Sequence, residues 1–430
     1  MSSDRLRVLC YVIVIIGTLA SSAASGDGAM IQHVDDVRTG EIPLDDPSPK
    51  QILEHHSLVT KAARLDKKFK QLVFGVLPTS QDEEALQAGY RAAWLYSAKM
   101  KAVVADWLRV EKKDEKLELK VDGFNKTFTR RMQGKKVDVI SFVRFSRRHF
   151  ESHDSFKKTF TASNALSALT KTLVDKVAKL KIDGLVFDLP GFEFSDKAMK
   201  GPLQTFLKKL VKALKPHQQN ENAPHRIGVL LRDDKTLNSF GYSEFVWVTD
   251  ALGDGGFVIA GQRTSPFADE TFPNPSVDEV KSTIGKLCPT SGTKKMKKQY
   301  VDRLLTSFDL LGYKTKEFKA ERISIPEFNE VLLNANTTAD CGPTDAKLSS
   351  TWMPSRTEYL FTASQSLLVP RLPDDTTRCR PGDSSPDDAV SIVVPSPKAL
   401  KLHTAQLGEL KQGLALWDLG LGMEYLFEVL

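Results

Sequence analysis

Two aspartates, Asp183 and Asp188, flank a short apolar run at 184–187, and Pro190, Gly191 and Glu193 follow directly. A β-branched and aromatic run that ends in an acidic group and a Pro-Gly break is how a buried parallel strand opens into a loop. Carboxyl groups at such a strand end can orient a substrate or pass a proton. Cleavage of a glycosidic bond commonly needs two of them, one kept protonated for the leaving oxygen. Asp188 is the candidate at the strand end. Asp183, at the strand's start, is placed to hold a turn or cap a neighbouring element. Glu193 lies beyond the Pro-Gly pair, where the chain already bends away, so a proton donor there would fall short of hydrogen-bond reach.

The segment resembles the fourth-strand signature of glycoside hydrolase family 18, Asp-Gly-x-Asp-x-Asp-Trp-Glu. Asp183, Gly184 and Asp188 match it, while Val186 stands at the first inner acid, Leu189 at the Trp and Pro190 at the Glu. In that family the substrate's own N-acetyl oxygen attacks the sugar carbon, the inner Asp orients it, and the Glu gives the proton. The resemblance therefore puts Asp188 at the orienting position and a residue with no ionisable group at the donor. It implies a non-enzymatic relative. The run from Gly413 to Leu430, with Trp417, Asp418, Leu419 and Gly420 near its start, is similar to the closing strand and helix of one catalytically degenerate branch. These are the chitinase domain-containing, or stabilin-interacting chitinase-like, proteins. Residues 52–59, 72–77 and 391–400 continue the likeness, which is poor between 267 and 388. What the resemblance implies is a (β/α)8 TIM barrel, saccharide binding without hydrolysis, and a lysosomal or extracellular setting.

Trp417 stands where the family places a Trp on the floor of its sugar cleft, and an indole offers a flat apolar face to a pyranose ring. Trp107 and Phe145, near the ends of the second and third strands, are further aromatic candidates for ligand contact, with core packing as their alternative. Two departures weaken the sugar reading. The family's Tyr-Asp pair on the sixth strand falls at Gln262 and Arg263, and a Phe-Tyr-Gly run on the seventh becomes Leu310, Leu311 and Gly312. Losing the acid alone leaves a lectin; losing the aromatic platform as well leaves an interaction scaffold. The expected partner is an N-acetylglucosamine-type oligosaccharide or a receptor protein. No metal-ligand spacing, Walker loop, dinucleotide fingerprint or Gly-x-Ser-x-Gly elbow is visible, so neither a cofactor nor a metal is expected.

The elements that must position these residues follow from periodicity. Apolar runs at 72–77, 102–108, 137–145, 182–187, 226–231, 256–260, 301–311 and 414–417 read as strands. Stretches at 82–99, 165–180, 203–214 and 398–411 carry apolar residues at helical spacing. Alternating strand and helix argues a parallel sheet, and about eight strands suggest closure into a barrel. The run 389–394 reads as an excursion strand. Long Pro-rich, charged stretches at about 267–298 and 313–388 are expected to be insertions over one face.

The chain has 430 residues, 41% hydrophobic and 27% charged, with 60 basic against 54 acidic side chains and a formal charge of +6. Lysine clusters at 112–120, 208–215 and 294–298 lack interleaved aromatics, so they read as solvated helix faces and no nucleic-acid partner is expected. Arg5 and Arg7 precede the apolar run 8–20, and small residues follow. This is a signal-peptide pattern, assigned to 1–24 and too short to span a bilayer, so no membrane association is expected after its removal. A polar linker, expected to be disordered, covers 25–50, and the barrel covers 51–430. Of the 4 cysteines, Cys10 would leave with the signal, and Cys341 and Cys379 are favoured as a disulfide, leaving Cys288 unpaired. Asn125 and Asn336 head N-glycosylation sequons. Both readings suit a secreted or luminal protein.

Overall fold

The computed structural model describes residues 65–430 apart from 79–82, 114–115, 147, 149, 151, 162, 190–191, 218–224, 233, 262–273, 290–299, 301, 317–318, 339–348, 354–357, 365–388 and 423. In chain order the elements begin β1 (Val73–Val76), α1 (Glu83–Leu95), β2 (Ala102–Lys113), β3 (Lys116–Val121), α2 (Lys126–Gly134), β4 (Asp138–Phe145), α3 (His153–Thr161) and α4 (Ser163–Leu180). The middle of the chain forms β5 (Gly184–Asp188), α5 (Lys197–Leu214), β6 (Arg226–Leu231), α6 (Asp234–Asn238), α7 (Tyr242–Leu252), β7 (Gly256–Ala260), α8 (Val277–Leu287) and β8 (Leu304–Asp309). Then come β9 (Gly312–Lys316), β10 (Lys319–Ile323), α9 (Ile325–Thr338), β11 (Ser349–Met353), β12 (Glu358–Ser364), β13 (Ala389–Val394), α10 (Pro397–Leu410) and β14 (Gly413–Trp417).

Strands β1, β2, β4, β5, β6, β7, β8 and β14 pair in parallel, and β1 closes the ring by pairing with both β14 and β2. This is the eight-stranded barrel that the strand-helix alternation predicts. Because side chains alternate across a strand, each strand feeds two shells. Phe74, Val104, Phe142, Val186, Leu230, Phe257, Leu305 and Trp417 fill the interior. Val73, Val103, Val143, Phe187, Val229, Val258, Phe308 and Leu416 face outward into the core beneath the helices. Phe257 meets Phe74 edge-on at 4.9 Å across the interior. A side chain at Gly228 would place its Cβ 2.3 Å from the Phe257 ring, so the interior accepts this phenylalanine only opposite a glycine.

Gly184 has a similar reason to exist. Its ideal Cβ would lie 1.9 Å from the Arg226 carbonyl oxygen. The glycine of the Asp-Gly motif is thus demanded by the close approach of β5 to β6, not by sugar chemistry. Gly184→Ala is expected to cost about 1–3 kcal/mol or more through forced strand separation, readable as a lowered urea midpoint.

The lysines at 112–120 were expected on a helix face and instead belong to a hairpin. β2 runs on past the barrel rim and β3 pairs with it antiparallel, from Leu108↔Val121 to Lys113↔Lys116. The reason is period two: Leu117, Leu119 and Val121 alternate with charged residues and pack against the outer core. A second, antiparallel sheet of order β10-β9-β13-β12-β11 stands beside the barrel, supplied by the segments after β8. It contains 389–394 as an excursion strand, as the sequence suggests. Helix α8 lies within 267–298, β10 to β12 with α9 fall within 313–388, and β9 begins one residue before that stretch.

The carboxyl-terminal run returns to the amino end of the barrel. Phe427 stacks on Tyr96 at 3.8 Å and 4°. Its carbonyl accepts a 2.6 Å hydrogen bond from the buried Lys99 ammonium, and Phe69 N–H donates to the Leu430 carbonyl at 2.7 Å. Burial lowers the Lys99 pKa to about 8.

Candidate functional site: an ion-paired barrel mouth

In a parallel barrel the reactive groups gather where the strands end. Here the inward positions at that end are Asp106 on β2, Arg144 on β4, Asp188 on β5 and Arg232 just past β6. A bulge between Ala105 and Leu108 shifts the β2 register next to Asp106. Arg232 Nη2 lies 3.0 Å from Asp188 Oδ2, Arg144 Nη1 lies 3.8 Å from the same oxygen, and Arg144 Nε lies 2.9 Å from Asp106 Oδ1. The Arg144 guanidinium also sits 4.9 Å above the Phe142 ring. Two acids and two bases thus form an ion-paired chain at the mouth, drawn from β2, β4, β5 and the residue just past β6. Burial pushes the Asp106 carboxyl up, and Arg144 pulls it back; burial pushes Arg144 down, and Asp106 and Asp188 oppose it.

Asp188 is 4% exposed, and one of its oxygens is shared between two cations. A carboxylate held that way is an acceptor already engaged, poorly suited to orienting an incoming N-acetyl group. Val186, at the other inner-acid position, is completely buried in the barrel interior. Pro190, at the donor position, lies outside the described residues. Glu193 sits between Phe192 and Phe194, both buried in the outer layer. Phe194 packs on Phe240 at 4.6 Å and its N–H bonds Ser239 Oγ at 3.0 Å. The chain on either side of Glu193 is therefore anchored among helices outside the barrel. Asp183 does what a strand-start acid was expected to do: its Oδ2 accepts from Val139 N–H at 2.8 Å and from Gln133 Nε2 at 2.9 Å.

Trp417 is at the mouth but is 4% exposed. It stacks on Phe142 at 5.7 Å and 23°, and its Nε1 donates to Ser307 Oγ at 3.0 Å, which in turn donates to the Ala260 carbonyl at 3.0 Å. The indole is thus engaged by an aromatic face and by its N–H. The structure brings Asp188 and Trp417 together through Phe142 and Arg144, and it places the other two aromatic candidates elsewhere. Trp107 lies within the β2 bulge, faces outward and packs edge-on against Phe124 at 5.0 Å. Phe145 joins Phe150, Phe156 and Phe160 in the outer core. Both are corrected from cleft residues to core residues: each has the outward parity of its strand, shared with Val103 and Ala105 on β2 and with Val143 on β4. Leu310 and Leu311 are also buried; Gln262 and Arg263 lie outside the described residues.

Arg144, Arg232 and Asp106 were missed in the sequence. Arg144 and Arg232 sit near or just beyond a strand end and Asp106 within β2, each on the inward parity of its strand, which is a readable signal only once the barrel is assumed.

Asn125 is the N-cap of α2, its Oδ1 accepting from Phe128 N–H at 2.9 Å, and Asn336 falls within α9. Cys288 is a free, buried thiol whose pKa burial pushes up to about 12. Cys341 and Cys379 lie outside the described residues.

No protein-family model matches the chain, and no curated protein matches it by sequence. Solved structures do. The spore cortex-lytic enzyme SleL of Bacillus megaterium QM B1551 superposes with a TM-score of 0.57 at 15% identity, over 83% of this chain and 72% of that one. A chitinase from Chromobacterium violaceum ATCC 12472 gives 0.57 at 13% identity, over 84% and 97%. A family 18 chitinase from Cycas revoluta, solved in complex with (GlcNAc)3, gives 0.50 at 9% identity, over 83% and 97%. The fold is that of the family 18 chitinases.

Proposed function

We propose that the chain is a secreted or luminal chitinase-fold protein that does not cleave glycosidic bonds and binds N-acetylglucosamine-type saccharide at the carboxyl end of its barrel. It is placed by this reading in the degenerate branch whose closing motif it resembles. One observation carries the non-enzymatic half. Asp188, the surviving motif acid, is held by Arg232 at 3.0 Å and flanked by Arg144 at 3.8 Å, with proline at the donor's motif position. General acid catalysis needs a titratable group within hydrogen-bond reach of the leaving oxygen. The saccharide half rests on the shared fold and on the (GlcNAc)3 complex of the Cycas chitinase. The amino-terminal basic-then-apolar pattern supports entry into the secretory path. A deeply buried Cys288 agrees with the other two thiols forming the pair.

A second reading, a protein-binding scaffold, is favoured by the low exposure of Trp417, since a lectin of this fold would offer that indole to a sugar. One pair of measurements separates the three possibilities. Purified protein is expected to release no chromophore from a chromogenic N-acetylglucosamine oligomer and to bind chito-oligosaccharides in calorimetry. Turnover that disappears in Glu193→Gln would establish a displaced acid and end the non-enzymatic reading. Silence up to millimolar oligosaccharide would leave the scaffold.

A further inference from the structure

The amino end of the barrel, opposite the ion-paired mouth, carries a cavity of about 480 Å³. Three parts of the chain line it: the approach to β1 at 68–71, helix α10, and the carboxyl-terminal turn at 428–429. Lys401, Thr404 and Gly408 recur at helical spacing, so one face of α10 forms a wall. A Cβ built on Gly408 would meet nothing within 4 Å, so the space beside the helix is open there. Phe69 and Val429, both nearly buried, give the cavity an apolar surface. Lys68, Lys70 and Lys401 are exposed and bring three ammonium groups to it. Glu428 is the odd member. It is 6% exposed, yet among the described residues its carboxylate accepts no hydrogen bond. Oε1 has no partner, and Lys68 Nζ stands 3.8 Å from Oε2, beyond hydrogen-bond length. Buried carboxylates ordinarily hold donors. The Lys99 ammonium, already bonded to the Phe427 carbonyl, acts on Glu428 at longer range.

We propose that this cavity is a second binding site, independent of the saccharide reading of the mouth, and that it takes a short apolar peptide in its zwitterionic form. The ammonium of the peptide donates to Glu428, its carboxylate lies among Lys68, Lys70 and Lys401, and its apolar side chains cover Phe69 and Val429. Charge decides the class. A lone anion would be drawn to three ammonium groups but would face the buried carboxylate. A lone cation would find the carboxylate and meet the lysines. An uncharged sugar would pair with neither sign and leave the apolar surface poorly matched. A molecule with opposite charges at its two ends and an apolar body gives every lining group its complement. The volume lies in the usual range of small-ligand sites, about 300–1,000 Å³.

Calorimetry of the intact protein with the dipeptide leucyl-leucine tests this, with a Kd expected in the millimolar range or tighter. N-acetyl-leucyl-leucine lacks the ammonium and leucyl-leucinamide lacks the carboxylate. Each is expected to bind at least about tenfold more weakly, the size of one lost hydrogen bond to a charged group. Glu428→Gln is expected to weaken leucyl-leucine by the same factor and to abolish its advantage over the acetylated form. Gly408→Leu supplies a comparison that does not touch the charged groups. Its side chain enters the open space, and leucine is the better helix former, so the variant should melt no lower than wild type and lose the dipeptide. Chito-oligosaccharide binding, read on the same samples, should be the same in Gly408→Leu as in wild type, so failure of one site is seen apart from failure of the other. No heat from leucyl-leucine at millimolar concentration would overturn the proposal. Equal affinity for the acetylated form, or wild-type dipeptide binding in Gly408→Leu, would do so too.

Discussion

Trp417→Ala is expected to lower the unfolding free energy by about 3–5 kcal/mol, the usual loss when a buried Trp or Phe is cut to alanine. The indole fills the upper barrel interior, lies on Phe142 and donates to Ser307. Removing it leaves a cavity whose walls are strands, and strands cannot collapse inward without breaking their ladders. Trp417→Phe keeps a ring on Phe142 and loses only one hydrogen bond. Ser307 still donates to the Ala260 carbonyl, so the cost should be about 1 kcal/mol. Urea denaturation followed by circular dichroism reads both. Wild-type stability in both variants, together with lost saccharide binding, would make the indole a sugar platform and reverse its assignment to the core.

Arg232→Ala is the second large effect. It removes the closest cation from a nearly buried Asp188, and breaking one side of a buried pair costs about 3 kcal/mol because the other charge is left uncompensated. Arg144 remains 3.8 Å away but already serves Asp106. Adding Asp188→Asn to Arg232→Ala should recover much of that loss, since an amide needs no counter-ion. A double variant no more stable than Arg232→Ala alone would mean that the arginine acts by packing and not by charge.

Most of the barrel was legible before any coordinates. Six-residue β6 at 226–231 and five-residue β7 at 256–260 have bounds that match the apolar runs, because a strand buried on both faces is a short block of apolar residues between turns. The hairpin at 102–121 was not legible as one. Its charged half looks like a helix face until period two is noticed at Leu117, Leu119 and Val121. The site was legible in part. Asp183, Gly184 and Asp188 announced a strand end, and Trp417 announced the mouth. Trp107 and Phe145 misled because aromatic identity carries no information about which shell a strand residue enters.

By itself the sequence determined that a proline, with nothing to ionise, stands where the motif it resembles carries its Glu, and that parallel strands alternate with helices. Only the tertiary structure decided what became of the surviving acid. Arg144 and Arg232 are distant from Asp188 along the chain and meet it because neighbouring barrel strands bring their inward-facing ends to one rim. The pairing of β14 with β8 likewise sets Asp418 next to the strand end that carries Asp309, while Tyr313 and Arg322 reach Asp309 and Asp418 respectively from the second sheet. Through-space pairing of charges is fixed by strand register and curvature, and neither can be read from residue order.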